Sequence, residues 1–359
     1  MAFVMNCWYC AGWAEELSDK PRAITICDEA IVLYRDSASI VHAIEDRCPH
    51  RFAPLSKGRV IGDRIQCPYH GLEFNEHGAC VFNPHGKQVI PDRQALKTYV
   101  MHEQNGVLWI WMGDPAQADT SKVLKLDFLD DDRYLVLKGH FVAKANYQLL
   151  NDNLLDLSHV TYIHPTTVGM RSELVVRKVE YEVHADEEAV YTRRFLPDVP
   201  PHAQFLGLFK PEKGDLHLHL TWRAPSSFHL DLSIVPCGTP KRTTIEPYDP
   251  AVLVPGAHLM APETADTTHY FYAVSRSADI TNEEMTVTMR ALYEQTLLDE
   301  DVPMIEACHR LMNGKELMDL RPMILESDRG SMLARRTIKK LLAKQNGERS
   351  TNEVAETIE

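Results

Sequence analysis

The chain has 359 residues, of which 44% are hydrophobic and 25% charged, with a formal net charge of -13. That length suits about two domains with a core of normal size, and the proportions are those of a soluble globular protein. The acidic balance argues against a nucleic-acid or anionic-membrane partner, and no apolar stretch is long enough to span a bilayer.

The opening Met1-Ala2-Phe3-Val4-Met5-Asn6 shows neither the basic start nor the apolar run of a signal peptide. A cytoplasmic location is therefore expected, with the eight cysteines held as thiols or metal ligands rather than disulfides. The first third reads as short strands and turns. Ala30-Ile31-Val32-Leu33-Tyr34 and Ile40-Val41-His42-Ala43-Ile44 are rich in β-formers, with the polar turn Asp36-Ser37-Ala38-Ser39 between them. Val107-Leu108-Trp109-Ile110-Trp111 is a further strand, closed by Gly113-Asp114-Pro115. A domain boundary is expected near residue 116.

Between 146 and 160, Leu149, Leu150, Leu154, Leu155 and Leu157 recur at helical spacing. Strand-like runs return from about 175 to 275. Among them Leu216-His217-Leu218-His219-Leu220 alternates as a half-buried strand should, so His217 and His219 are read as structural. A long helical stretch begins after Thr281-Asn282-Glu283-Glu284, and the polar residues from Gln345 to Glu359 are expected to fray. The predicted organisation is α+β, with domains over 1–115 and 116–345 and a disordered tail over 346–359.

Two constellations carry chemistry. Cys48-Pro49-His50 and Cys67-Pro68-Tyr69-His70 form C-x-H-x16-C-x2-H. One Cys and one His on each of two loops suit a Rieske [2Fe–2S] centre, with Cys48 and Cys67 on one iron and His50 and His70 on the other. The alternative, a structural Cys2His2 zinc site, usually groups Cys with Cys and His with His. Two neutral imidazoles in place of thiolates raise the potential to within about -150 to +300 mV, so the centre can take electrons from a ferredoxin-like donor. Cys7-Trp8-Tyr9-Cys10 has no second pair at metal spacing, and its cysteines are read as half-buried residues beside aromatics.

The second constellation is Asp156-x2-His159-x4-His164 at an expected helix end. Asp156 and His159 share a helix face. His164 can return to the same metal if the helix stops near His159 and the chain turns at Pro165. Two His and a carboxylate on one face of iron leave positions open for O2 and substrate. Asp299-Glu300-Asp301 offers the best candidates for the carboxylate, and Pro303 is expected to kink the helix there. Asp156 is expected to hydrogen-bond the metal-bound imidazole of His159.

With both constellations in one chain, the sequence resembles the Rieske non-haem iron oxygenases, and within them the dicamba monooxygenase and vanillate O-demethylase branch. The similarity runs from about Asn6 to Leu342. It is carried by Cys48 through Ser56, Cys67 through Phe74, Asn83-Pro84-His85-Gly86, Asp152-Asn153-Leu154 with Asp156-Leu157 and His159, Ala261 through Thr264, His269-Tyr270-Phe271, and Glu300-Asp301 with Ile305-Glu306-Ala307.

The resemblance implies a Rieske β domain followed by a helix-grip-like catalytic domain with an antiparallel sheet and C-terminal helices. It favours Asp301 over Asp299 as the third ligand of a mononuclear Fe(II), sets Asn153 near that iron, and implies O2 as co-substrate. It further implies a ferredoxin or NAD(P)H-dependent reductase as electron donor, and a head-to-tail homotrimer in which Asp156 meets the partner subunit's His70. His258 matches a substrate-binding histidine of the branch, whereas Leu230 and Leu292 stand where the dicamba enzyme has asparagine and tryptophan. A more apolar pocket is then expected, preferring neutral or weakly polar aromatics to acids. The implied reaction is O- or N-dealkylation of a small aromatic substrate. The alternatives are ring or side-chain hydroxylation and, in another class, a Rieske electron carrier.

His50→Cys or His70→Cys should keep a cluster at a lower potential, because a thiolate donates more charge than imidazole. Redox titration checks this, and an unchanged spectrum and potential in both variants would remove the ligand assignment.

Overall fold

The computed structural model describes residues 2–90, 95–169, 179–205, 207–240 and 252–347. Most of the tail expected to fray, from 348 onward, lies outside the described residues.

Among the described residues, ten strands build the first part of the chain. They are β1 (Cys7–Trp13), β2 (Arg22–Ile26), β3 (Glu29–Arg35), β4 (Val41–Glu45), β5 (Arg59–Ile61), β6 (Arg64–Gln66), β7 (Glu73–Phe74), β8 (Cys80–Phe82), β9 (Thr98–Gln104) and β10 (Val107–Met112). Six of them pair in the order β1-β10-β9-β4-β3-β2, and β5-β6-β7-β8 form a smaller sheet. The predicted turn between β3 and β4 is closed by Asp36, whose Oδ1 accepts from the N–H of Ala38 (2.9 Å) and of Ile40 (2.8 Å). Such self-bonding turns are what short acidic side chains favour.

The second part is one antiparallel sheet of seven strands: β11 (Leu135–Ala143), β12 (Glu180–Ala185), β13 (Ala189–Val199), β14 (Gly214–Arg223), β15 (Ser227–Val235), β16 (Val252–Pro262) and β17 (Thr268–Arg276). Their order is β11-β17-β16-β15-β14-β13-β12. Strands β16 and β17 are buried along their whole length. Period-two alternation explains this. Ala257, Leu259, Ala261, Phe271 and Ala273 pack with Trp13, Trp109 and Ile110 of the first part. The intervening Met260, Tyr270, Tyr272 and Val274 pack with the helices on the opposite face. The sheet is thus a central layer, and a one-residue slip in β16 would exchange its two cores. β14 is the alternating strand read from the sequence; its Leu216 and Leu218 line the cavity, with His217 and His219 on the other face.

The helices are α1 (Tyr147–Leu155), α2 (Val160–Ile163), α3 (Glu283–Glu294), α4 (Val302–Met312) and α5 (Arg329–Gln345). Asn146 caps α1 by accepting from the N–H of Gln148, and Asn282 caps α3 by accepting from that of Met285. Arg335 of α5 ties down α1 through an ion pair with Asp152, Nε to Oδ1 at 2.9 Å. No helix among the described residues is long and apolar enough to cross a membrane.

Two local breaks interrupt the helical stretches, the first of them earlier than the stop near His159 that the spacing predicts. Helix α1 stops at Leu155 because Asp156 is extended (φ -111, ψ 90), and a tight turn over Leu157–His159 leads into α2. Between α3 and α4, just ahead of Pro303, Gln295–Asp301 winds as a π-helix. Pro303 supplies no N–H and its ring would strike the carbonyl of Asp299 in a regular α-helix, and the wider turn relieves that clash.

Candidate metal centres and substrate cavity

The two cluster loops are built alike. Phe52 N–H donates to the Cys48 carbonyl (2.8 Å), and Gly71 N–H donates to the Cys67 carbonyl (3.1 Å). Cys48 N–H in turn reaches the Ala53 carbonyl (2.9 Å), and Cys67 N–H the Leu72 carbonyl (2.8 Å). Each loop closes through a left-handed residue, Phe52 at φ 57 and Gly71 at φ 71. Both thiols are buried, and the His50 and His70 rings lie 4.5 Å apart. His85 Nε2 braces the second loop against the His70 carbonyl at 2.7 Å.

These residues fit a [2Fe–2S] group. Burial pushes the Cys48 thiol up to about 11, so a thiolate there needs the charge a metal would bring. His70 Nδ1 is buried without a hydrogen-bond partner. Cys7, by contrast, is a half-buried thiol that desolvation pushes up to about 12, as suits a structural residue.

The second centre joins distant segments. Atoms of His159, His164 and Asp301 lie within 4.8 Å of one another. Asp301 Oδ1 is 3.2 Å from His164 Nε2 and 3.5 Å from His159 Nε2. Both imidazoles present Nε2 because their other nitrogens are engaged. His159 Nδ1 meets the Asp156 carbonyl at 2.6 Å, and His164 Nδ1 meets Glu300 Oε2 at 2.7 Å. Asn153 Nδ2 donates to Asp301 Oδ1 at 3.1 Å. Burial holds His159 below its ordinary pKa against the pull of Asp301, which favours the neutral ring a metal requires. Two imidazoles and one carboxylate on one side of a cavity are the donor set of a non-haem Fe(II) site.

That cavity encloses about 580 Å³, in the range of small-molecule sites. Its floor is the alternating face of the seven-stranded sheet, including Leu196, Leu216, Leu218, Leu230, Leu232 and Val254. His258 lines it at the end near Asp301. Burial pushes this imidazole down to about 4, against a weaker pull from Asp301, and its Nδ1 lies 2.9 Å from the Tyr270 hydroxyl.

Two placements correct the sequence reading. The Asp156 carboxylate does not meet His159, since the backbone carbonyl of that residue does. The extended conformation of Asp156 turns its side chain onto Ser158 N–H (2.9 Å), the Ser327 hydroxyl (3.0 Å) and Arg194 Nη2 (3.5 Å). Leu292 does not line the cavity; Tyr293, Thr296 and Leu297 do, at the i, i+3, i+4 spacing of one helical face. The expected apolar wall is therefore present at Leu230 and not at Leu292. Of the three acidic candidates, Asp301 is buried in the triad and Asp299 is exposed.

Sequence reasoning missed the orienting role of Glu300, whose only signal was its place beside Asp301. It also missed Arg194 and His202 on the cavity wall, which no local motif marks.

The comparisons with known proteins agree with this architecture. Residues 7–100 match the Rieske [2Fe-2S] domain, and residues 143–344 match the Vanillate O-demethylase oxygenase C-terminal domain. The oxygenase component of dicamba O-demethylase from Stenotrophomonas maltophilia is 36% identical over 95% of this chain and 98% of its own. The oxygenase component of chloroacetanilide N-alkylformylase from Rhizorhabdus wittichii is 36% identical over 94% of this chain and 94% of its own. The crystal structure of dicamba monooxygenase bound to dicamba superposes with a TM-score of 0.88 at 33% identity, covering 97% of this chain and 100% of that one.

The chain belongs to the Rieske non-haem iron oxygenases with a vanillate O-demethylase type of C-terminal domain. It is the oxygenase component of a multicomponent monooxygenase, and its cofactors are a Rieske [2Fe–2S] cluster and a mononuclear non-haem iron.

Glu300→Ala leaves His164 Nδ1 without its acceptor. Iron affinity at the mononuclear centre should fall about 10–100-fold, while the red-brown cluster is retained. Iron titration against a chelator checks this, and unchanged affinity would remove the orienting role.

Proposed function

We propose that the chain catalyses O2-dependent removal of an alkyl group from the oxygen or nitrogen of an aromatic substrate, the carbon leaving as an aldehyde. The observation that carries the reading is the His159, His164 and Asp301 triad opening on a largely apolar cavity. Relatives named for O-demethylation and N-alkylformylation support it over nearly the whole length. Hydroxylation without dealkylation is the second reading. It is favoured by the 35% identity, over 96% of this chain, to a toluene-4-sulfonate monooxygenase iron–sulfur subunit of Comamonas testosteroni.

In this reading Cys48, His50, Cys67 and His70 hold the cluster, and His159, His164 and Asp301 hold the iron. When bound, the cluster supplies electrons one at a time and the iron activates O2 beside the substrate. The chain's own residues set the conditions for that chemistry. Glu300 and the Asp156 carbonyl fix the two imidazoles, and Asn153 steers the Asp301 carboxylate. The leucine-rich floor excludes water and seats an aromatic ring. Electrons come from a ferredoxin or an NAD(P)H-dependent reductase, in the cytoplasm. The chain divides near residue 116 into a cluster domain and a catalytic domain.

The working assembly is a head-to-tail homotrimer, with the Asp156–His159 turn, in which the Asp156 carbonyl meets His159, at the boundary with the partner subunit's cluster. The exposure of His50, Phe52 and Tyr69 around the cluster loops supports this, because such a rim is suited to burial against another subunit.

Incubation with methoxy- and N-alkyl-aromatics, O2 and a surrogate reductase should yield one aldehyde per dealkylated aromatic. Ring-hydroxylated product without aldehyde would overturn the dealkylation reading. Cys67→Ser and Asp301→Ala chains, each inactive alone, should regain partial activity when co-assembled, since some junctions then pair an intact cluster with an intact iron site. Verified mixed trimers that stay inactive while each keeps its remaining metal would exclude the inter-subunit route.

A further inference from the structure

Two polar ends divide the substrate cavity, and the established centre accounts for only one of them. Asp301, Asn153 and His258 occupy the metal end. The other end lies where β13 runs out at Val199 and the chain turns through Ala203–Phe205 against β16. Val254 of β16, which lines the cavity there, is four residues from His258, about 13 Å along an extended strand.

His202 belongs to that far end. It lines the cavity with a relative exposure of 9%, and both ring nitrogens are fully buried without a hydrogen-bond partner. Gln204, between His202 and Tyr293, is placed to act as a side-chain hydrogen-bond partner to the ring, but the geometry of a full hydrogen bond closes at neither imidazole nitrogen. Burial pushes His202 down to about 4, and no carboxylate acts on it. The ring is therefore neutral and carries one N–H donor and one bare acceptor. Buried polar atoms are nearly always satisfied, and an unsatisfied pair on a cavity wall is where a ligand group fits. Arg194 also lines the cavity and has unpaired donors, but Asp156 stands at 3.5 Å to balance its charge and the Tyr181 ring covers its face at 4.4 Å. It therefore offers less to a ligand than His202.

We propose that His202 is a specificity-determining residue that binds a neutral hydrogen-bonding substituent, such as a carboxamide or phenolic hydroxyl, on the part of the aromatic substrate remote from the metal. This rests on the reading of the cavity as the substrate site. It replaces a purely apolar pocket with one that is apolar along its floor and selective at its far end. A site built around such a hydrogen bond rejects analogues that lack the group, because its own polar atoms are then left unpaired.

The test compares 4-methoxybenzamide with 4-methoxytoluene, as probes binding to the anaerobic holoenzyme by calorimetry, with thermal melting of each variant. The parent should bind the amide at least about tenfold more tightly, the worth of about one or two net hydrogen bonds. His202→Leu, which removes both orphaned atoms, should abolish that preference by weakening the amide without weakening 4-methoxytoluene, and keep or raise the melting temperature. His202→Asn should retain part of the preference. A lower melting temperature or failure to fold in His202→Leu would assign the residue a structural role and overturn the proposal. So would a preference that survives both substitutions, or its absence from the parent. Binding and melting are read without turnover, so failure here is distinct from failure to find an aldehyde.

Discussion

One carboxylate oxygen organises the catalytic half of this chain. Asp301 Oδ1 faces His159, His164 and Asn153, and its contact with Asn153 bridges 148 residues of sequence. A buried carboxylate is costly unless donors or a cation meet it. Meeting that demand brings the π-helical middle of the α3–α4 run to the broken helix α1–α2, where the metal end of the cavity lies. The π-helical turn ahead of Pro303 sets which acidic residue points inward, so the backbone defect and the ligand are one feature.

The sheet supplies the rest by alternation. Strands β16 and β17 are buried on both faces, one against the cluster domain's strands and one against the cavity and its helices. His258 and Val254 therefore share the cavity face, while Ala257 and Leu259 lock the two parts of the chain together. A substitution in β16 thus acts on substrate binding or on domain packing according to the parity of its position.

The corrections have a common origin. The sequence spacing suggests an Asp156 carboxylate beside His159, as on a continuous helix. The chain becomes extended at Asp156, and the backbone carbonyl takes the role instead. Leu292 falls one position from the cavity-facing Tyr293, a rotation of about 100° on a helix. Small angular differences of this kind are set by packing and leave no local trace.

The cluster motif was legible in the sequence because its ligands sit on two short loops at tight spacing, each closed by its own backbone hydrogen bonds. The α+β class was legible too, because strand and helix periodicities are local. The pair His159 and His164 was visible for the same reason, and the resemblance singled out Asp301 from its neighbours. Only the tertiary structure decided that Glu300 orients His164, that the Asp156 carboxylate turns towards Arg194 and Ser327, and that His202 reaches the cavity unpaired. Each of those depends on the direction of a side chain after a helix break or a strand end. Sequence spacing carries no information about such directions until distant segments pack.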